Sequence, residues 1–298
     1  KYRIQRFIRW DSSDSFGLEN IKMFKKIYNL LKILRKLSVS GAVETLNDIR
    51  PIPNSLKFVF YIFSIGSSKK IENLKKTSGE KLCQSLEDMG TTFIKLGQFL
   101  ATRPDIIGEE IANKLEKLQD KLPAFNTEKA KEILKKEIGI KSYENILSLS
   151  EPVAAASIAQ VHFAKIRIDN EEKKLAVKIL RPNIHSIFNE ELDALMFLAY
   201  LIENIFKKTK RLRLVEVISL LKEITNVEMD LRFEAAAASE LRENTINDKG
   251  IKVPKIYWNY TSKKVLTLDK INGVSIRDIE KLKNLNINLK NLSENLIQ

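Results

Sequence analysis

The stretch Glu151-Pro-Val-Ala-Ala-Ala-Ser-Ile-Ala-Gln-Val-His162 leads through a charged turn into Leu175-Ala-Val-Lys-Ile-Leu180. It reads as a strand, a loop of very small residues, a strand, a polar turn from Asn170 to Lys173, and a strand ending near Lys178. Small residues let backbone N–H groups come close to a ligand, and a lysine on the next strand can reach an anion held under such a loop. This is the outline of a nucleotide-phosphate site. The loop carries alanine rather than glycine, and a Cβ closes much of the φ > 0 space that glycine uses, so the loop is stiffer. A second reading stays open here: Ala154 to Ala159 as a turn of helix begun by Pro152, since alanine is the best helix former and proline suits a first turn.

At 298 residues the length suits about two domains with a real core. Hydrophobic content of 44% and charged content of 30% are those of a soluble globular protein. A single cysteine, Cys83, excludes an internal disulfide and fits a reducing compartment. No signal peptide is visible, and a start at Lys1 suggests that the native N-terminus lies upstream. The net charge of +13 is unevenly placed: residues 1–82 hold 17 Lys/Arg against 7 Asp/Glu, the remainder 34 against 31. Abundant lysine, isoleucine and asparagine reflect compositional drift, which does not explain this asymmetry. A basic N-terminal third attracts an anionic membrane surface. Nucleic acid is not expected, because aromatic interleaving and zinc or helix-turn-helix signatures are missing.

Residues 1–37 carry Arg3, Arg6 and Arg9, then an amphipathic pattern through Ile21, Phe24, Ile27, Leu30, Leu31 and Leu34. Leu56 to Ile65 is apolar but far short of the ~20 residues that span a bilayer; it reads as a buried helix first and an interfacial anchor second. Lys81 to Leu100 reads as one helix, with Met89, Phe93, Leu96 and Leu100 on its apolar face. Thr91, Lys95, Gln98 and Thr102 lie opposite, on a face that pattern alone makes solvated. Helices through Ile111 and Leu115, through Ala130 to Ile138, and from Ile187 to Phe206 follow. A basic loop, Lys207 to Arg213, then leads into one long helix from Val215 to about Asn244.

Glu228 falls inside the apolar stripe of that long helix and so requires a cation or hydrogen-bond donor. Asp230 and Glu234, at i and i+4, form an acidic pair that also calls for a cation. Lys178 suits Glu234, and Lys95 with Gln98 suits Glu228 and Asp230. Lys252 to Tyr257 and Lys264 to Asp269 read as two more strands, with Asn272-Gly273 turning into a helix from Ser275.

Four motifs, Lys95-Leu-Gly-Gln98, Ala154-Ala-Ala-Ser157 with Gln160-Val161, Ala176-Val-Lys178, and Glu228-Met-Asp230 followed by Glu234-Ala235, resemble those of the UbiB/Coq8/ADCK (ABC1) family of atypical kinases. They stand in the same order, and the resemblance covers about residues 80–298. It implies an α+β fold: a protein-kinase-like small lobe, with a five-stranded antiparallel sheet and a long helix, behind a large N-terminal helical extension. The implied domains are a basic helical region over 1–80, the extension carrying Lys-x-Gly-Gln over 81–150, the small lobe over 151–274, and the start of a large lobe over 275–298. The resemblance implies ATP or ADP as ligand. Ala154, Ala155, Ala156 and Ser157 would roof the phosphates, Lys178 would contact them while paired with Glu234, and Leu268 and Asp269 would form the adenine-binding hinge. Lys95, Gln98, Glu228 and Asp230 would face the reacting phosphate. It further implies ubiquinone biosynthesis at the cytoplasmic side of a bacterial inner membrane, with a quinone-precursor lipid as a possible partner.

Phosphoryl transfer in a kinase-like fold also draws on a catalytic-loop aspartate and on Mg²⁺ ligands. His162 and His185 begin no His-x-Asp motif, and Asp-Phe-Gly does not occur. No metal ligands are therefore assigned, and catalysis by this chain is expected to be incomplete: it reads either as a truncated product or as one piece of a split gene, the large lobe in the second case coming from a partner chain. The competing expectation is a non-catalytic membrane- or lipid-binding scaffold. An older family reading, a quinone-ring hydroxylase, has neither a dinucleotide glycine fingerprint nor a metal cluster behind it.

Overall fold

Alternating side chains over residues 146–180 fold into a meander. In the computed structural model, which describes residues 16–40, 42–43, 47, 51–66, 77–116, 118, 122–248, 250–276, 278–285 and 287–297, strands β1 (Ile146–Ala155), β2 (Ala159–Ile168) and β3 (Glu171–Leu180) pair antiparallel. β4 (Val265–Asp269) adds to β3, giving the order β1-β2-β3-β4. Arg3, Arg6 and Arg9 lie outside the described residues. Ala154 and Ala155 end β1, and the Ala156 amide donates to Ala159 O at 2.8 Å, so the small residues make a tight strand-to-strand turn rather than a helix. The polar turn is tighter than Asn170 to Lys173: only Asp169 and Asn170 form it, at φ +52° and +64°. Positive φ at both central residues suits the right-handed twist of a two-residue hairpin.

The sheet has four strands among the described residues, one fewer than expected. Residues 252–257 reach it through a single bridge, Ile256 to Leu268. The Lys255 amide, which faces β4, donates to the Asp269 carboxylate at 3.1 Å instead of a strand carbonyl, so no ladder propagates.

The chain forms two compact units, Lys1–Asp120 with His185–Glu223, and Lys121–Ile184 with Ile224–Gln298. These cut across the segments expected from sequence. In the second unit, α7 (Thr127–Ile138) lays Ala130 and Leu134 on Ala164, Ile166, Leu175, Val177, Ile179 and Val265. Glu137 fastens it through Ser262 Oγ at 3.0 Å and Lys264 at 3.2 Å. The short α8 (Ile140–Tyr143) follows, and α12 (Ile279–Asn284) and α13 (Leu289–Ile297) lie beyond β4.

The expected long helix is two helices, α10 (Leu214–Glu228) and α11 (Leu231–Asn244). Asp230 sits between them with φ −118° and ψ 94°, accepting from the Arg232 amide at 3.2 Å as an N-cap. Aspartate is among the best residues for that position, and the Leu231 amide, left without a helical partner, donates to Lys263 O at 3.0 Å.

The first unit contains α1 (Phe16–Val39), α2 (Asn54–Ser64), α3 (Ser78–Met89), α4 (Thr91–Ala101), α5 (Pro104–Ile107), α6 (Glu109–Leu115), α9 (Ile184–Ile205) and a 3₁₀ turn over Lys207–Leu212. Thr77 and Glu80 form a reciprocal capping box at the start of α3. The single helix expected over Lys81 to Leu100 breaks at Gly90, where φ is +100°, so α4 restarts with a different buried face: Thr92, Phe93, Ile94 and Gly97. Lys95 and Gln98 are half-buried, not solvated. Lys36 of α1 donates to Met89 O at 3.0 Å and to Glu191 of α9 at 2.7 Å.

Helix α2 also departs from expectation. Phe60 is buried and Leu56 and Phe63 pack beside it, but Phe58, Tyr61 and Ile62, at i, i+3 and i+4, and Ile65 just past the helix end are all exposed. A helix apolar all round is normally buried on every side.

A Cβ on Gly97 would come 2.3 Å from Leu118 Cδ1 and 2.7 Å from Leu86 Cδ1. Gly97→Ala is therefore expected to lower stability by about 1 kcal/mol, overpacking outweighing the gain in helix propensity. Urea unfolding measures it; an unchanged midpoint would mean that the two leucines yield freely.

Candidate functional site

Side chains alternate along a strand and directly paired residues share a face. The registers Val161 to Lys178, Phe163 to Ala176, Lys178 to Leu266 and Ala176 to Leu268 place Val161, Phe163, Ala176, Lys178, Leu266 and Leu268 on one face of the sheet. The opposite face, carrying Leu175, Val177 and Ile179, is the one α7 covers. The Lys178 face is an apolar shelf with a cation near the turn. Lys270 Nζ lies 4.0 Å from the centroid of the Phe163 ring, a cation–π contact that sequence reasoning missed.

Lys178 Nζ meets both carboxylate oxygens of Glu234, at 3.0 and 2.7 Å, bringing together residues 56 apart in sequence. The lysine side chain is 26% exposed and the glutamate 51%. Two lone-pair acceptors orient the ammonium and leave its remaining proton free to meet a further anion.

The alanine turn is held from behind by a residue that was not singled out from the sequence. Arg181 forks onto Ala156 O with Nε at 3.0 Å and Nη2 at 2.8 Å, and its Nη1 donates to Pro123 O at 2.9 Å. Gln160, adjacent to the turn, is fully buried. Its Oε1 accepts from the Phe125 amide at 2.9 Å and its Nε2 donates to Phe125 O at 3.2 Å. The second Nε2 proton points to His162 Nε2 at 2.8 Å, while His162 Nδ1 lies 2.7 Å from Ser150 O. A carbonyl only accepts, so Nδ1 carries the imidazole proton and Nε2 accepts from Gln160. Every donor in this chain of contacts has an acceptor, and His162 is a structural residue. Of the turn itself, Ala154 is exposed, Ala155 and Ala156 are half-buried and the Ser157 side chain is fully buried.

The acidic residues divide. Glu234 meets Lys178, but Asp230 is not its i, i+4 neighbour on one helix: the N-cap geometry turns Asp230 toward Arg232, whose Nε and Nη2 donate at 2.9 and 2.6 Å. Those hydrogen bonds hold the Asp230 carboxyl below its ordinary range despite burial. Glu228 ends α10, half-buried. Lys95 and Gln98 lie on α4 of the first unit, Glu228 and Asp230 in the second.

The two hinge candidates also separate. Leu268 is on the Lys178 face, whereas Asp269 accepts from the Tyr257 hydroxyl at 2.8 Å, and its amide donates to Lys255 O at 3.0 Å. Among the described residues no group of three or more His, Cys, Asp or Glu side chains could hold a metal ion.

Residues 117–298 match the ABC1 atypical kinase-like domain. A protein of Marinobacter nauticus named "Probable protein kinase UbiB" is 35% identical over 253 residues, 85% of this chain and 45% of that protein. Proteins of the same name from Pseudomonas aeruginosa and Histophilus somni are 37% identical over 222 residues and 36% over 277, covering 74% and 92% of this chain and 41% and 49% of their own lengths. The chain spans under half the length of these curated relatives.

Burial, aided by the hydrogen bond to Asp269 and its charge, pushes the Tyr257 phenol up to about 12 from 10.0. The folded state resists ionisation that the unfolded state permits. Stability from this group is therefore complete below pH 10 and is lost as pH rises toward 12. Denaturation of wild type against Tyr257→Phe across that window measures it; parallel pH profiles would refute the assignment.

Proposed function

Because this chain belongs to the ABC1 atypical kinase-like family, with relatives named UbiB, we propose that it binds ATP or ADP on the Lys178 face of its sheet as part of an atypical kinase or ATPase serving ubiquinone biosynthesis. The observation that carries the reading is the Lys178–Glu234 pair beside a clamped small-residue turn. In kinase-like small lobes a strand lysine held by a helix glutamate positions nucleotide phosphates. The half-buried shelf of Val161, Ala176 and Leu268 offers an apolar seat for an adenine ring. Mg²⁺, when bound, would supply charge neutralisation to the phosphates; the described residues assemble no cluster for it, and no step is assigned to it.

Lys178 orients and partly neutralises the phosphates, and the turn shields them, its alanines limiting how far the backbone can rearrange. The reading reserves Glu228 and Asp230, which lie in the same unit as Lys178, for turnover rather than affinity. In a nucleotide titration, Lys178→Ala is expected to weaken binding about tenfold, roughly 1.4 kcal/mol, and Lys95→Ala to leave it within about twofold. Equal affinity of wild type and Lys178→Ala would overturn the site.

A second reading, peripheral attachment to the cytoplasmic side of a bacterial inner membrane, is favoured by the outward face of α2. Among the described residues no helix is long and apolar enough to cross a membrane. Phe58, Tyr61, Ile62 and Ile65 nonetheless project from a region of net charge +10. Aromatic and aliphatic side chains with nearby lysines suit an anionic interface. Phe58→Asp with Ile62→Asp is expected to abolish flotation with phosphatidylglycerol vesicles while the far-ultraviolet circular dichroism is unchanged; undiminished flotation would exclude α2 as the anchor.

A further inference from the structure

The run Lys207-Lys-Thr-Lys-Arg-Leu-Arg213 holds five basic residues and no acid, and neither the nucleotide site nor the α2 face makes use of it. Its last three residues, Arg211, Leu212 and Arg213, line a groove of about 590 Å³ inside the first unit, together with Arg103 and the carboxylates of Asp105 and Glu216. That volume is within the range of small-ligand sites.

Three guanidinium groups border the groove, and two are held in place. Arg103 is forked by Asp105, Nε to Oδ1 at 2.8 Å and Nη2 to Oδ2 at 2.7 Å. Arg213 places Nη2 2.7 Å from Glu216 Oε1 and 2.6 Å from Oε2. Each carboxylate occupies one edge of its arginine, leaving Nη1 of Arg103 and Nε and Nη1 of Arg213 with donors to offer. Arg213 adopts φ +50° and ψ +45°, a left-handed conformation unusual for a residue with a Cβ, at the junction of the 3₁₀ turn and α10. Such conformations persist where surrounding structure demands them and cluster at ligand sites. The third, Arg211, is exposed, and no carboxylate pairs with it among the described residues. Val217 and Leu220 line the same groove.

We propose that this groove binds a phosphate-bearing anion, carried either on a lipid headgroup or on a small soluble molecule. Planar guanidinium forks match tetrahedral oxyanions in pairs of hydrogen bonds, and two arginines pre-oriented by carboxylates lose less freedom on binding than free ones would. The apolar lining gives room for the carbon chain that carries the phosphate. The proposal does not rest on the nucleotide reading, whose lysine lies in the other unit.

The test titrates the full chain with inorganic pyrophosphate by calorimetry and, separately, floats it with vesicles of phosphatidylglycerol or of phosphatidylcholine alone. Arg211→Gln is the primary variant because no ion pair among the described residues depends on it, and Lys283→Gln, exposed on α12, removes the same charge elsewhere. Arg211→Gln is expected to weaken binding about fivefold or more in at least one arm, and Lys283→Gln to have little effect in that arm; Lys178→Ala removes only the part of the pyrophosphate heat that the nucleotide site contributes. A loss confined to pyrophosphate assigns a soluble ligand; a loss confined to phosphatidylglycerol assigns a headgroup; a loss in both assigns the phosphate itself. The proposal is overturned if wild type binds in neither arm, if Lys283→Gln costs as much as Arg211→Gln, if Lys178→Ala removes all of the pyrophosphate heat, or if a folded Arg211→Gln/Arg213→Gln double variant matches wild type.

Discussion

The position of α11 on the sheet depends on the ion pair between Lys178 and Glu234. That helix buries only Leu231 and Ala235, so apolar packing by itself leaves its placement weakly determined. Its first turn is pinned by the Asp230 cap and by the Leu231 amide on Lys263 O, and its next turn by the bridge to β3. A pair with a half-exposed glutamate contributes little to stability, on the order of 0–1 kcal/mol. Its consequence is positional: it fixes where the ammonium of Lys178 stands relative to the alanine turn.

That turn shows how a small-residue loop is kept in one shape without glycine. Alanine narrows the backbone choices, and the carbonyl of Ala156 is gripped by a guanidinium fork that also reaches Pro123. Behind it, the buried amide of Gln160 satisfies both backbone groups of half-buried Phe125 and one nitrogen of buried His162. A fully satisfied buried network is rigid because breaking any one contact strands the others. A turn built this way takes its shape from the protein itself.

The first unit follows different rules. Its helices are separated by Gly90 and packed closely where Gly97 leaves no room for a side chain, and Lys36 ties three segments through a carbonyl, a carboxylate and the Phe93 ring. Its surface carries two features that packing does not explain: the outward apolar face of α2 and the arginine-lined groove beside α10. Both are features of this unit alone, and both suit amphiphilic or anionic matter.

The sequence by itself determined what short-range chemistry can express. The apolar runs on either side of the polar turn marked β2 and β3, small residues marked the turn before them, and the order of the four motifs pointed to the ABC1 family that residues 117–298 match. It also marked Glu234 as the partner of Lys178, through the resemblance to kinase-like lobes. Only the tertiary structure decided the rest. Helix periodicity runs smoothly through Gly90 and Met229–Asp230, yet a positive φ and an N-cap break it there, re-aiming Asp230 toward Arg232 and changing which face of α4 is buried. A fifth strand failed because the Asp269 carboxylate takes the Lys255 amide from the ladder, a conflict visible only when the two segments lie side by side. Arg181 carries no local signature: its guanidinium becomes a clamp only because the fold delivers to it the carbonyls of Ala156 and Pro123, 25 and 58 residues away. Arg103 and Arg213 take their carboxylates from nearby Asp105 and Glu216, and what the fold alone decides is that the two arginines, 110 positions apart, border one groove.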